Sequence, residues 1–279
     1  METVPVWEQV AKVCRAEIME QTNPEGSGGK NGERILIFLP GAFEIRKTVE
    51  LLERSNWSRG WEVKPLYSAL SPAAQREAVG PGKMPRIIVA TNVAETSITI
   101  DGVVSVIDSG LARIAAYDAR RAIDTLTVRK ISQASAQQRA GRAGRTRPGR
   151  CVRLWSERDH SRRPEFEDPE VHRVDLAGAV LYLKSGGVGE VRQFRWLDTP
   201  GEDSLQRAEH LLETLGAVDK KGSLTKVGAS MARYPLHPRP ARLLEAAEEE
   251  GCVAEACFAA AVLQAEGAFT RKATRAQRA

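Results

Sequence analysis

The sequence predicts an α/β fold, a parallel β-sheet covered by helices, followed by a smaller part that is mainly helical. Short unbroken apolar runs, Ile35-Leu-Ile-Phe-Leu39 and Ile87-Ile-Val-Ala-Thr91, have the composition of strands buried on both faces. Helical stretches alternate with such runs in the βαβ manner that a parallel sheet requires. With 279 residues, 42% of them hydrophobic, the chain is long enough for about two domains with ordinary cores.

In chain order, Val6 to Glu20 reads as an amphipathic helix, with Val6, Val10, Val13 and Ile18 among charges. Thr22 to Gly32 is rich in Pro, Gly and Asn and reads as a flexible linker; its Gly26-Ser-Gly-Gly-Lys-Asn31 lacks the spacing and the hydroxyl of a phosphate-binding loop. From Glu33 strands and helices alternate: strand 35–39, helix 43–54, strand 62–67, a short helix after Pro72, strands 87–91 and 103–108. The alternating residues between Leu111 and Lys130 suggest a β-hairpin, and a helix over 132–147 and a strand over 151–155 complete the series.

Polar, proline-bearing residues 161–169 mark a boundary. Past it come a helix near 174–184 and another over 205–215 with Asp203 or Ser204 as N-cap. The tight turn Asp219-Lys-Lys-Gly222, flanked by Ala217-Val218 and Leu224-Thr225, reads as the wing of a small winged-helix domain. From Pro235 the chain is alanine-rich and helical through Gln264, with Arg239, Arg242 and Glu245 on its polar side, and it closes with the basic tail 271–278.

Composition narrows the function classes. The net charge of +5 and sequence pI of about 9.1, with acidic and basic residues interleaved, favour a polyanionic partner. Cys14, Cys151, Cys252 and Cys257 are scattered without zinc spacing, as in reduced thiols of a cytoplasmic protein. No apolar stretch approaches the roughly 18 residues of a membrane span.

Two segments carry chemistry. In Ser132-Gln-Ala-Ser-Ala-Gln-Gln-Arg-Ala-Gly-Arg-Ala-Gly-Arg-Thr-Arg147, the residues Gln138, Arg142 and Arg145 fall at i, i+4 and i+7, one stripe if the segment is helical throughout. Two guanidiniums and an amide suit a phosphate chain, although a solvated basic helix would read the same way. In Ile87-Ile-Val-Ala-Thr-Asn-Val-Ala-Glu-Thr-Ser-Ile-Thr-Ile-Asp101, a buried strand breaks into hydroxyl, amide and carboxylate residues, as functional loops of α/β sheets do at strand ends.

Together with Ile35-Leu-Ile-Phe-Leu-Pro-Gly41, these segments resemble motifs IV, V and VI of the DEAH-box RNA helicases, with details most like the bacterial HrpB-type members. The likeness runs from about Trp7 to Glu266 and includes Tyr67-Ser-Ala-Leu-Ser-Pro72, Val106-Ile-Asp-Ser-Gly-Leu-Ala-Arg113 and Phe194-Arg-Trp-Leu197. It implies a helix and linker over 1–32, a second RecA-like domain over 33–160, a winged helix over 161–234, and the start of a helical bundle with a basic tail over 235–279. In such relatives the hairpin lies near the nucleic-acid strands.

The resemblance further implies arginine-finger roles for Arg142 and Arg145, a place near the attacking water for Gln138, nucleotide contacts for Ser97 and Asp101, and RNA-backbone contacts for Thr91 and Asn92. The family's base-stacking phenylalanine aligns with Val79, so that contact does not carry over. Neither G-x-x-x-x-G-K-[ST] nor D-E-x-H occurs in the sequence. The implied cofactors, ATP or another NTP with Mg²⁺, therefore require a first RecA-like domain, and this chain alone is expected to be inactive. The implied partner is single-stranded RNA, or DNA, read without sequence preference. A noncatalytic binding module that keeps a vestigial RecA-like fold is the alternative.

Overall fold

The structure is a computed structural model describing residues 4–21, 32–96, 98–118, 123–145 and 148–264. Ser97, residues 22–31 of the expected linker and the basic tail lie outside the described residues. The chain divides into two units, the first spanning 1–116 and 125–168, the second 117–124 and 169–279.

In the first unit, α1 (Val6–Gln21) precedes β1 (Arg34–Phe38), α2 (Ala42–Glu53), β2 (Glu62–Leu66), α3 (Pro72–Val79), β3 (Arg86–Ala90) and β4 (Val103–Asp108). There follow β5 (Leu111–Asp118), β6 (Ile123–Lys130), α4 (Gln133–Ala140), β7 (Arg150–Arg153) and α5 (Glu157–Ser161). Strands β2-β3-β1-β4-β7 form one sheet, every pairing parallel, and β5 and β6 pair as a separate two-stranded sheet where the alternation predicts a hairpin.

All five residues of β1 and of β3 are buried, which explains their unbroken apolar sequences. The period-2 geometry sends Ile35, Ile37 and Leu39 to one core, with Val10, Cys14 and Ile18 of α1, and Leu36 and Phe38 to the other, with Leu66, Ile88 and Val106. Each such side chain contributes roughly 1.5–3 kcal/mol by leaving water. Buried Glu17 fixes α1 to the sheet by accepting from Ser105 Oγ at 2.5 Å and Arg150 Nε at 2.6 Å. Arg34 and Arg86 reach the carbonyls at the end of α3, so half-buried Val79 packs against the core beneath.

The second unit contains α6 (Ala177–Ser185), α7 (Glu202–Thr214), α8 (Lys226–Met231), α9 (Pro238–Glu250) and α10 (Val253–Gln264). Its core joins Val180, Leu181, Leu205, Leu212, Met231 and Ala241. The expected wing is a tight turn at Gly222 (φ 76°) closed by a single antiparallel bridge between Val218 and Leu224, with the Lys184 ammonium donating to Gly222 O at 2.7 Å. Gly228 lets α8 approach Ala217, whose carbonyl oxygen would stand 2.0 Å from any added Cβ.

Two expectations shift here. The N-cap of α7 is Gly201 rather than Asp203 or Ser204, and those residues occupy the first turn, where Glu202 and Asp203 meet the positive helix end. The alanine-rich stretch is two helices, because Gly251 (φ 70°) ends α9 in a left-handed cap. Among the described residues no helix is long and apolar enough to cross a membrane.

Candidate nucleotide and nucleic-acid site

Strand β3 delivers the first candidate loop. Thr91 follows it with extended backbone, anchored by Thr91 N–H to Leu66 O at 3.1 Å, and opens a 3-10 turn over Asn92–Ala94. Thr91 is half-buried and Asn92 exposed at the C-terminal edge of the parallel sheet. The loop then crosses to the opposite edge, where exposed Asp101 precedes β4. Asp101 offsets part of the downward pull that burial and Arg86 exert on the Arg34 guanidinium. The two ends of this loop therefore serve different edges of the sheet.

The second segment lies along one face of the sheet. Helix α4 begins just past β6, where Ile131 N–H donates to Gly110 O at 3.1 Å, and Ser132 caps it by accepting from Ser135 N–H. The helix ends at Ala140, short of the expected 147. Its last turn tightens, with Arg142 N–H to Arg139 O and Ala143 N–H to Ala140 O both at 3.1 Å, and Gly144 (φ 87°) then turns the chain back toward β7.

This early ending corrects the geometry expected for Gln138, Arg142 and Arg145, which do not form one helical stripe. Gln138 and Arg145 are exposed, whereas Arg142 is 2% exposed. Its Nε donates to Glu95 O at 2.8 Å and an Nη to Ile98 O at 2.7 Å. Burial, then the nearby Arg145 charge, draws the Arg142 guanidinium below its ordinary range, with Glu95 opposing. Among the described residues Arg145 has no ion-pair partner.

Arg139, which the sequence reading passed over, is the residue that organises the site. It is 1% exposed and donates through Nε to Glu95 Oε2 at 2.9 Å and through Nη1 to Asp108 Oδ1 at 3.0 Å. Its guanidinium lies 4.8 Å from the centre of the Phe38 ring. Glu95 also accepts from Ser135 Oγ at 2.8 Å, so one carboxylate holds α4 to the β3 loop. A signal was present: Asp108 closes a strand whose other residues are apolar except for Ser105, and a buried acid needs a cationic partner.

The arrangement can do two things. It fixes Glu95 and Ile98 to Ser135, Arg139 and Arg142 through four side-chain hydrogen bonds, and it leaves Gln138 and Arg145 exposed as donors to an anion. Among the described residues, no cluster of His, Cys, Asp or Glu could hold a metal ion.

Residues 14–147 match the family described as the helicase conserved C-terminal domain, and 208–236 match the winged-helix helicase associated domain (HA2). The ATP-dependent RNA helicase HrpA of Escherichia coli (strain K12) is 42% identical over 234 residues, 82% of this chain and 18% of that protein. An HrpA homolog of Haemophilus influenzae is 41% identical over 244 residues, 85% of this chain and 18% of the homolog. Two solved structures of E. coli HrpB, described as a DEAH/RHA helicase and a DExH-box NTPase, superpose with TM-scores of 0.82 and 0.79 at 34% and 33% identity. They cover 95% and 100% of this chain, which spans 32% and 34% of theirs.

Proposed function

From the premise that this chain is homologous to the C-terminal region of the HrpA- and HrpB-type DEAH helicases, we propose that it is the second half of an ATP-driven RNA helicase. In this reading residues 33–160 are the second RecA-like domain, 161–234 the winged helix and 235–279 the start of a helical bundle. ATP or another NTP, with Mg²⁺, binds a first RecA-like domain in the same polypeptide, and that domain supplies the phosphate loop and the metal carboxylates.

The observation that carries the proposal is the pairing of an outward Gln138 and Arg145 with an inward clamp on the β3 loop. Exposed Arg145 is free to meet the γ-phosphate as the two domains close, where its charge opposes the negative charge growing in the transition state. Gln138 orients the attacking water. Arg142 sits one step back; its donors must leave the Glu95 and Ile98 carbonyls before it can join Arg145 on the phosphates.

Thr91 and Asn92 offer a hydroxyl and an amide to the RNA backbone at the other end of the same loop, without reading sequence. Ser97 and Asp101 serve the nucleotide side. Nucleic-acid occupancy and nucleotide state then act on one clamped loop, which is how hydrolysis becomes translocation.

Steady-state phosphate release tests this, with the chain alone and with the chain joined to a nucleotide-binding helicase half, each with and without poly(U). The joined polypeptide should turn over ATP with RNA stimulation, and the chain alone should not. RNA-stimulated turnover by the chain alone would overturn the proposal.

A further inference from the structure

The polar, proline-bearing stretch that leads toward the second unit does more than connect. Past α5 the segment 163–168 is neither helix nor strand, and it is bonded across the start of α4. Pro164 O accepts from Gln133 N–H and Glu165 O from Ala134 N–H, both at 2.9 Å. Glu167 Oε1 accepts from Ser132 N–H at 2.6 Å, and Gln133 Nε2 donates to Arg163 O at 2.8 Å.

A helix leaves its first four N–H groups without a partner of its own. At α4 these belong to Ser132, Gln133, Ala134 and Ser135; Ser132 Oγ serves the last, and the strap formed by the segment serves the other three. The Glu167 carboxylate also stands at the positive end of the helix, where a negative charge is favoured.

Arg163, 6% exposed, pins the strap at its other end: its Nη1 donates to Gly110 O at 2.8 Å and Ile131 O at 3.0 Å, and its guanidinium lies 4.2 Å from the centre of the Trp155 ring. Residues 164–168 are exposed, so hydrogen bonds rather than burial hold them to the helix.

Helix α4 is eight residues long, only about two turns, and a shift of its first turn is therefore carried to Gln138 and to the chain that follows at Arg145. Glu95 holds one side of α4 through Ser135 and Arg139, and the strap holds its start. We propose that Glu167 is a positioning residue for the NTP site: by closing the strap on Ser132 it sets the angle at which α4 presents Gln138 and Arg145. The proposal rests on the helicase reading above and adds to it a residue that acts through α4 rather than on the nucleotide.

RNA-stimulated ATP turnover by this chain joined to a nucleotide-binding helicase half, measured well below the melting temperature, tests it. Glu167→Ala should lower maximal turnover by about threefold to tenfold, with the KM for ATP and the RNA concentration for half-maximal stimulation each kept within about twofold. Glu167→Gln keeps an oxygen that can accept from Ser132 N–H and should restore turnover to within about twofold of the parent. Glu165→Ala, which leaves the Glu165 carbonyl in place, should match the parent. With the chain alone, amide exchange over residues 132–135 should be faster in Glu167→Ala and near parental in Glu167→Gln.

Parental maximal turnover or unchanged amide exchange in Glu167→Ala, with the joined parent active, would overturn the positioning role alone. A rise in KM that matches the fall in turnover would make Glu167 a binding residue, and a loss that Glu167→Gln does not recover would make it a structural one; either result overturns the proposal. No RNA-stimulated turnover by the joined parent would overturn the helicase reading with it.

Discussion

Replacing Arg142 by alanine should destabilise the first unit, which an exposed arginine finger would not do. The guanidinium is 2% exposed, and its two bonds, at 2.8 Å to Glu95 O and 2.7 Å to Ile98 O, hold the β3 loop against the end of α4. Truncation removes both donors and leaves two carbonyls to find water, at about 1–3 kcal/mol for each one that stays dry. Loop relaxation recovers part of this, so about 2–4 kcal/mol is expected. For a unit of this size each kcal/mol moves Tm by roughly 2–4 °C, which gives a fall of about 4–16 °C by calorimetry or circular dichroism. Arg145→Ala, at an exposed position, should stay within about 0.5 kcal/mol of the parent. A Tm for Arg142→Ala within about 1 °C of the parent would refute the reasoning, because those bonds would then contribute nothing net.

Three further outcomes follow from the same structure. Arg139→Ala should be the most damaging single change, at about 3–5 kcal/mol, because it strands Asp108 and Glu95; soluble expression with a near-parental melt would contradict this. Glu17→Ala should loosen α1, and faster amide exchange over residues 6–21 than in the parent is the readout, with unchanged exchange counting against the role of Arg150 and Ser105. Asp175 sits below its usual carboxylate range: burial raises it, but the His237 hydrogen bond, the Ala177 N–H and the charges of His237 and Arg239 together outweigh that. A carboxyl depressed in the folded state stabilises above its unfolded pKa of about 3.9 and loses that contribution as pH falls through the folded value. Asp175→Asn should therefore reduce stability at pH 7 and flatten the acid limb below about pH 4, and parallel pH–stability curves would dispose of the coupling.

The sheet was legible because β1 and β3 are buried on both faces, so their sequences carry no polar interruption. The wing was legible because Asp219-Lys-Lys-Gly222 encodes its own turn: Asp219 Oδ1 accepts from Lys221 N–H and Ser223 N–H. The candidate residues stand out by type in the sequence, but their geometry does not. Extending α4 through Gly141 and Gly144 puts Arg142 and Arg145 on one stripe, while a tightened last turn and a left-handed glycine leave Arg142 buried and Arg145 exposed. Helix ends depend on where the following chain must go, here back to β7, and local propensity does not contain that. Arg139 was missed for a related reason. A buried arginine and a solvated one look alike in sequence, and only the arrival of Asp108, Glu95 and Phe38 from three other segments distinguishes them. The α7 cap illustrates the smaller error: Asp203 and Ser204 are good caps by type, yet the Pro200-Gly201 turn starts the helix earlier.

The central claim is that the exposed arginine beyond α4 completes an NTP site formed with another domain. RNA-stimulated ATP turnover by this chain joined to a nucleotide-binding helicase half, compared with its Arg145→Ala variant at saturating ATP and RNA, tests that claim most directly. The account predicts a loss of at least about a hundredfold in maximal turnover, with Tm unchanged and nucleotide affinity reduced far less. Parental maximal turnover in Arg145→Ala, with only a higher RNA requirement, would make the segment an RNA-binding surface and contradict the account.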